Sequence, residues 1–423
     1  KNWPLNPVGM KKHKESMMMS LGYNPEWSEG SIKPPIFQTS TFGFKTAEEG
    51  KRFFEIAYGK SQLEPNEQMG LIYSRLNNPN MQILEERLAV LEGSEDAASF
   101  ESGMSAISTA MLAYLKPGDV LLISDQVYGG THHFVHHFLK SIGVEVVVLP
   151  VIDSVQDIMN ELRAQHVVER VRMIYTETPA NPTGKLIDLS VLEGLKQELS
   201  KHTEHPVISA VDNTYLGPIW QNPIELGTDL VCYSATKFLN GHSDVIAGAV
   251  MGSKEHIAPV KGLRTFLGGM IAPYTAWLLT RSLETLHVRM NYQTQNASKI
   301  AAFLEGHDKV SRVYFPGLAS MGERQNAIYA NQCKAPGAMI SFVVKGDEAG
   351  AFKFLNALKL VKLAVSLGSN ESLAQHPFSM THANVPDEEK LSTGVALGLV
   401  RLSVGIEHAE DLIDDLTQAL AKV

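Results

Sequence analysis

A chain of 423 residues is too long for one small hydrophobic core, so its length predicts two domains. Apolar residues make up 44% of the chain and charged residues 20%, which is typical of a globular protein, and the net charge of −9 argues against a nucleic-acid binder. The two cysteines, Cys232 and Cys333, lie far apart and indicate neither a disulfide framework nor a zinc site.

The beginning of the chain predicts little regular structure. No run of 18 apolar residues occurs, and the segment from Lys11 to Met19 lacks the apolar core of a signal peptide, so we expect a cytoplasmic protein with no membrane partner. Residues 1–77 contain several glycines and prolines, which predicts an arm that either packs on a partner subunit or frays. One helix is expected within it, from about Thr46 to Tyr58.

From Met81 onward, helical and strand-like segments alternate. Residues 81–93 have apolar side chains at helical spacing and end in Gly93, and further helices are predicted over Met104–Leu115 and Val191–Leu199. The predicted strands are Ala97–Phe100, Val120–Ser124, Glu145–Leu149, Met173–Thr176, Val207–Asp212, Leu230–Ser234 and Ile246–Met251. This alternation predicts an α/β fold with a mainly parallel sheet, which binds ligands at the carboxyl ends of its strands.

Beyond about Leu286 the pattern predicts a second, smaller α/β unit. Its expected elements are a helix over Asn296–Leu304, strands near Val310–Phe315, Met339–Val344 and Leu399–Val404, and an amphipathic last helix over Ala409–Leu420. We therefore expect three parts, which are an arm over 1–77, a large domain over 78–286 and a C-terminal domain over 287–423.

Lys237 is unusual because it lies in a turn between two apolar, strand-like runs. Lysine is rarely buried without a partner, and desolvation lowers its pKa, which makes the amine a nucleophile able to form an imine with a carbonyl. The hydroxyls of Ser234 and Thr236, just before it, are suited to contact an oxyanion. The alternative is a lysine whose ammonium group reaches solvent from a strand end.

Two further segments carry polar groups at predicted strand ends. Gly103 and Met104 open a helix after a strand, where backbone N–H groups form a phosphate site. A nucleophile elbow is the competing interpretation, but Ile107 occupies the position of its last glycine, which argues against a hydrolase. Asp212 ends an apolar run, where a carboxylate either keeps a pyridine nitrogen protonated or caps a turn.

Four other side chains have a chemical and an ordinary interpretation. Tyr128 could stack on a ring and move a proton, or be a loop tyrosine. Arg401, inside an apolar strand, could bind an amino-acid carboxylate with two hydrogen bonds, or face solvent. Tyr73 and Arg75 on the arm could clamp a phosphate, or lie on a surface loop.

The run from Thr131 to His137 contains four histidines in two i, i+4 pairs, which raises the possibility of a metal site: His132, His133, His136 and His137. No carboxylate-bearing motif such as H-E-x-x-H accompanies them. An ordinary helix surface is the favoured interpretation, and no metal is expected.

Several segments together resemble the pyridoxal-phosphate enzymes of cysteine and methionine metabolism, which have fold-type I. The resemblance runs from about Pro34 to the C-terminus and includes YSRLNNP, ETPANPTG, VDNTY and the lysine segment DLVCYSATKFLNGHSDVIAGAVMG. It implies that pyridoxal 5′-phosphate is the cofactor and Lys237 its Schiff-base lysine, with Lys237 and Tyr128 as catalytic residues. The other implied cofactor contacts are Tyr73, Arg75, Gly103, Met104, Glu177, Asn181, Asp212, Ser234 and Thr236, and the implied substrate contacts are Ser366, Arg401 and Val365.

The resemblance also implies the partners. Tyr73 and Arg75 match a segment that reaches the cofactor phosphate of the neighbouring subunit, so a homodimer would be the catalytic unit. Dimers of this family usually pair into homotetramers. The substrate would be a small amino acid.

Within the family, Val365 and the segment SLGSNESLAQHPFSMTH that follows it are most similar to methionine γ-lyases, whereas lyases acting on cystathionine typically carry Glu at this position. This implies γ-elimination, with Lys237 as the base and Tyr128 as the acid. The same residues would perform γ-replacement, as in cystathionine γ-synthases and O-acylhomoserine sulfhydrylases, or cleave cystathionine.

Three departures from the methionine γ-lyase pattern bear on this expectation. Gly130 replaces a characteristic cysteine, Arg264 and Thr265 replace a Lys-Asp pair, and residues 56–70 form an insertion. A non-catalytic binding protein of this fold is a further alternative. It would predict damage to the lysine, the phosphate site or the arginine, and all three are intact.

Overall fold

The computed structural model describes residues 13–65, 67, 69–149 and 153–423. In that part of the chain the strands form one sheet of seven and one of five. The larger sheet consists of β1 (Asp96–Phe100), β2 (Val120–Ser124), β3 (Glu145–Leu149), β4 (Val171–Glu177), β5 (Ile208–Asp212), β6 (Leu230–Tyr233) and β7 (Gly248–Gly252). The smaller sheet consists of β8 (Val310–Tyr314), β9 (Met339–Val344), β10 (Lys362–Leu363), β11 (Leu373–Gln375) and β12 (Leu399–Ser403).

The larger sheet has the strand order β1-β7-β6-β5-β4-β2-β3. β7 runs antiparallel to both of its neighbours, and the other strand pairs are parallel. The prediction of an α/β fold with a mainly parallel sheet is therefore confirmed. Because β4, β5 and β6 lie side by side, their carboxyl ends meet at one edge, and Glu177 is paired in register with Asp212 there.

Helices flank these sheets. In chain order they are α1 (Lys14–Met17), α2 (Ala47–Ala57), α3 (Pro79–Glu92), α4 (Gly103–Tyr114), α5 (Gly129–His133), α6 (Val155–Ala164), α7 (Leu189–Ser200), α8 (Gly217–Trp220), α9 (Lys254–Leu267), α10 (Pro273–Leu283), α11 (Leu286–Glu305), α12 (Glu323–Gln332), α13 (Asp347–Ala357), α14 (Asp387–Ser392) and α15 (Ala409–Leu420). The predicted 81–93 helix is α3, which begins after the Asn78 cap and ends at Gly93 with a left-handed φ of 83°.

Both faces of the larger sheet are buried except along the edge strand β3, where Glu145 and Val148 are exposed. Along β2 the side chains alternate, so that Leu121 and Ile123 pack with the α4 and α9 side, whereas Val120 and Leu122 pack with α6 and α7. Such two-sided burial explains why these strands are nearly continuous apolar runs in the sequence.

The smaller sheet has the order β10-β11-β12-β9-β8 and is antiparallel except between β10 and β11. α11, α13 and α15 pack on this unit. α15 has the predicted bounds and buries Leu412, Leu416 and Leu420 at helical spacing. β12 lies in the middle of the sheet, which places Arg401 in the protein interior.

The described residues of the arm contain little buried surface. α2 lies within one residue of the predicted bounds at each end, and only Gly50 of that helix is buried. The segment after it is tied back to α2 by an ion pair of 2.6 Å between Arg52 and Glu67. Residues 1–12 of the predicted arm lie outside the described part, and the three-part division of the chain stays a prediction.

Some boundaries differ from the expectation. The strand predicted from Ile246 begins at Gly248, because the N–H and the C=O of Ala247 pair with Thr236. The helix predicted over 296–304 extends back to Leu286, and α9 and α10 were not predicted. Within the described residues, no helix is long and apolar enough to cross a membrane.

Candidate active site

Lys237 lies half-buried in the turn between β6 and β7, where its Nζ donates a hydrogen bond of 2.8 Å to Ser366 Oγ. Burial, and then the positive charge of Arg401, lower the pKa of Lys237 to about 8. A larger share of this amine is therefore neutral near neutral pH than in an exposed lysine, whose pKa is ~10.4. Lys237 therefore points to Ser366 and not into solvent, and its lowered pKa makes the nucleophilic, neutral form more accessible than in an exposed lysine.

The segment that contains Ser366 and Gly368 packs closely against the turn of Lys237. A Cβ atom at Gly368 would lie only 2.7 Å from Phe238 N, so this position accepts no side chain. Ser366 has a left-handed φ of 87°, which a residue with a Cβ seldom adopts. The fold of the C-terminal unit thereby holds Ser366 against Lys237.

Asp212 lies buried at the carboxyl end of β5. Its Oδ1 accepts the N–H of Thr214 at 2.9 Å and its Oδ2 accepts the hydroxyl of Tyr175 at 3.4 Å. Burial raises the pKa of Asp212. No lysine or arginine of the described residues forms an ion pair with it, so a protonated ring nitrogen would find an uncompensated carboxylate here.

Glu177 supports two loops of the site. Its Oε2 accepts the N–H of Tyr128 at 2.7 Å, and its Oε1 accepts the N–H of Asn181 at 3.0 Å. Burial, and then the nearby charge of Asp212, raise the pKa of Glu177. The side chain predicted to line a ring therefore also fixes the backbone on either side of the strand end.

Tyr128 precedes α5, and its side chain is 43% exposed at the site. A Cβ atom at Gly130 would lie 2.6 Å from the Tyr128 ring and 3.1 Å from Met104 Sδ. The ring therefore occupies the space that a side chain at position 130 would need.

The start of α4 forms a cradle against the turn before Lys237. Ser102 caps the helix through its Oγ, which accepts the N–H of Ser105 at 3.0 Å. A Cβ atom at Gly103 would lie 2.9 Å from Ser234 Cβ, so only glycine lets the two segments meet. The first N–H groups of a helix have no acceptor inside the helix, and together they attract an anion.

Thr236 is placed differently from Ser234. Its Oγ1 donates to Ala247 O at 3.2 Å and accepts the N–H of Ala247 at 3.0 Å. The hydroxyl therefore fixes the start of β7. Its predicted contact with a phosphate stays a prediction.

Arg401 is buried, with 2% exposure, and does not face solvent. Its Nη1 donates to Asn181 Oδ1 at 3.0 Å and its Nη2 donates to Ser366 O at 2.7 Å. Arg401, Asn181, Ser366 and Lys237 are thus brought together from distant parts of the chain. Val365, beside Ser366, keeps 54% of its side chain exposed.

Tyr73 and Arg75 are not joined to this group. The guanidinium of Arg75 lies 5.9 Å from the centre of the Tyr73 ring and donates a hydrogen bond of 2.6 Å to Thr265 O on α9. Arg264, next to Thr265, is instead buried and paired with Glu85 at 2.5 Å. Of Arg264 and Thr265, which stand in place of the Lys-Asp pair, only Thr265 therefore contacts Arg75.

The four histidines line a cleft of about 1030 Å³ whose walls include Arg312 and Lys185 but not Lys237, Asp212 or Arg401. These three residues of the Lys237 group therefore do not line the histidine cleft. Burial, and then the charge of His132, lower the pKa of His136 to about 4. Across the described ranges, no three His, Cys, Asp or Glu side chains are placed to hold a metal ion.

Sequence reasoning missed two partners of the site. Tyr175 contacts Asp212 from inside β4, where nothing in its apolar surroundings distinguishes it. The Oγ1 of Thr214 accepts the N–H of Ser234 at 2.9 Å and so connects the Asp212 turn to the Lys237 turn. Thr214 stands in the VDNTY motif, which was the available signal.

These features fit pyridoxal 5′-phosphate. The amine of Lys237 suits its aldehyde, the uncompensated carboxylate of Asp212 suits its ring nitrogen, and the glycine-lined start of α4 suits its phosphate. A mainly parallel sheet that carries such a site at its strand ends defines a pyridoxal-phosphate enzyme of fold-type I.

Comparisons with known proteins agree with this class of enzyme. A model of the Cys/Met metabolism PLP-dependent enzymes matches residues 15–421, and the chain belongs to this family. It is 43% identical to the L-methionine gamma-lyase of Porphyromonas gingivalis over 92% of this chain and 93% of that protein. It is 41% identical to the L-methionine gamma-lyase of Pseudomonas putida over 94% and 95% of the two chains.

A solved structure of cystathionine gamma synthase from Xanthomonas oryzae pv. oryzae, in complex with aminoacrylate and cysteine, superposes with a TM-score of 0.86. It is 33% identical and covers 98% of this chain and 99% of its own. The protein is thus a pyridoxal-phosphate-dependent enzyme of sulfur amino acid metabolism.

Proposed function

We propose that the enzyme catalyses γ-elimination on a sulfur amino acid and converts methionine to 2-oxobutanoate, methanethiol and ammonia. The observation that carries this proposal is the exposed, apolar residue Val365, which precedes Ser366, whose carbonyl oxygen accepts a hydrogen bond from Arg401. An apolar side chain favours a methyl thioether, whereas the polar distal end of cystathionine would favour a charged partner. The two relatives named L-methionine gamma-lyase support the proposal.

In this proposal, residues of the strand ends and turns hold the cofactor. Asp212 would pair with the ring nitrogen, Tyr128 would contact the ring, and Lys237 would bind the aldehyde. Gly103, Met104, Ser234 and Thr236 would hold the phosphate, and Glu177 and Asn181 would line the ring pocket. When bound, pyridoxal phosphate withdraws electrons from the substrate and so makes its Cα and Cβ protons acidic.

The protein side chains then move protons. Arg401 binds the substrate carboxylate, with Ser366 beside it, which fixes the orientation of the Cα–H bond. The free amine of Lys237 would accept the Cα proton, pass it on to the cofactor and, neutral again, accept a Cβ proton, for which an amine with a pKa of about 8 is suited. Tyr128 donates its hydroxyl proton to the departing γ-sulfur, so that the carbon–sulfur bond breaks to release a neutral thiol.

The alternative is γ-replacement or cystathionine cleavage with the same residues. Gly130, in the position of the characteristic cysteine, is the observation that favours it, together with the likeness to a cystathionine gamma synthase structure. Access of a nucleophile instead of water would decide between elimination and replacement.

We also propose a homodimer as the catalytic unit, with dimers paired into a tetramer. Tyr73 and Arg75 are set apart from the Lys237 group of their own chain, which suits a role in the neighbouring subunit. Next to Thr265, Phe266 is 80% and Leu267 55% exposed, and an interface would cover such apolar side chains.

Product analysis tests the reaction. We expect 2-oxobutanoate and methanethiol in equal amounts from L-methionine alone, and slower turnover of L-cystathionine. Val365→Glu is expected to reduce kcat/KM for methionine by about 10-fold, an effect on the scale of one misplaced polar group, while the matched control Val365→Ile has little effect. Turnover only of O-acetyl-L-homoserine with sulfide would overturn the elimination proposal.

A further inference from the structure

Gln375 is a fully buried polar residue that lies directly opposite Arg401 in the antiparallel pair of β11 and β12. Its carboxamide oxygen accepts hydrogen bonds from Thr381 Oγ1 at 3.0 Å and from both terminal nitrogens of Arg401 at 3.2 Å. The reverse orientation would point the amide NH2 at a guanidinium, donor against donor. The pairing of β11 with β12 thus places the side-chain oxygen of Gln375, a hydrogen-bond acceptor, against the guanidinium of Arg401.

The acceptors around Arg401 are all neutral. They are the side-chain oxygens of Asn181 and Gln375 and the backbone carbonyl of Ser366. In the described part of the chain, no carboxylate forms an ion pair with Arg401. Together these acceptors engage the terminal nitrogens and fix the plane of the guanidinium without an ion-paired carboxylate, so its positive charge can still attract an incoming carboxylate.

The same segment also touches the loop of Tyr128. A Cβ atom at Gly129 would lie 2.9 Å from Thr381 O, so Thr381 packs directly on the residue after Tyr128. Gln375 and Thr381 therefore connect the arginine that faces the substrate with the loop that carries the proton donor.

We propose that Gln375 is a positioning residue, which holds the Arg401 guanidinium in the orientation that binds the substrate carboxylate without neutralising its charge. This inference rests on the proposed function, because it takes an amino acid as the ligand of Arg401. A carboxylate at position 375 would hold the same geometry but would compete with the substrate for the charge.

Ligand binding to the cofactor-loaded enzyme, followed by its visible absorbance, tests the proposal. L-norleucine has a methylene in place of the sulfur and thus no leaving group, and L-norleucinamide also lacks the carboxylate. Gln375→Met should raise the Kd of norleucine by about 10-fold and that of norleucinamide by less than about 2-fold, as expected for a lost hydrogen bond to a charged group. Gln375→Glu should raise the Kd of norleucine by about 100-fold and leave that of the amide unchanged.

Gln418→Met is the matched control, since this glutamine bonds the backbone of Ala357 away from the site. If Gln375→Met does not fold, Thr381→Val is expected to weaken norleucine binding by about 3-fold with the same selectivity. Equal weakening of both ligands would assign Gln375 a merely structural role, and an unchanged Kd of norleucine would overturn the proposal. Failure of the unsubstituted enzyme to bind norleucine would overturn the proposed function as well.

Discussion

The proposed site combines two regions that differ in their surroundings. Around Lys237, side chains are bonded across long separations, such as Lys237 with Ser366, 129 residues away, and Arg401 with Asn181, 220 residues away. On the arm, Tyr73 is 42% exposed, and Arg75 binds a backbone carbonyl of Thr265.

The difference shows which properties one chain can supply alone. Burial within one chain shifts the pKa values of Lys237, Glu177 and Asp212, so the environment that sets their protonation does not need a second subunit. Tyr73 and Arg75 are exposed, so in the proposed dimer their role would depend on the surface of the neighbouring subunit. The first region should thus determine reactivity, and the second should determine dependence on a partner subunit.

Substitution of the central amine should have the largest effect. Lys237→Ala removes both the group that binds the cofactor aldehyde and the base, so we expect kcat to fall by at least about 1,000-fold. The visible absorbance of the lysine-bound cofactor should disappear with it. Lys254→Ala, an exposed lysine at the start of α9, is the control and should retain both. Substantial activity in Lys237→Ala would remove the basis of the mechanism.

The pH dependence of cofactor capture tests whether burial lowers the pKa of Lys237. Because the pKa of Lys237 is lowered to about 8, the neutral amine forms as the pH rises through about 8 and not through the usual value. The rate at which the cofactor-free protein captures pyridoxal phosphate should therefore rise with a midpoint near pH 8. Arg401→Gln removes the second cause of the shift and should move the midpoint upward. A midpoint near 10 would show that Lys237 is not desolvated.

The sequence predicted the parts of this site that are set by local patterns. The apolar runs located the strands, and Lys237 and Asp212 were found because polar groups at strand ends stand out. The contact of Gln375 with Arg401 was not predictable, because it depends on the register between two strands. Glu177 was expected in the site, but its hydrogen bonds to two backbone N–H groups were not predictable, because only the folded loops bring those groups together.

The division of the site between subunits can be tested directly by complementation. Chains carrying Lys237→Ala and chains carrying Arg75→Ala are expressed together with different tags, and assemblies that contain both are purified. If Arg75 serves the neighbouring subunit, each mixed dimer has one site with both residues intact, and activity should recover to about half of the unsubstituted value, far above either parent. Activity no higher than that of the better parent would show that Arg75 acts within its own chain, and would contradict the shared site.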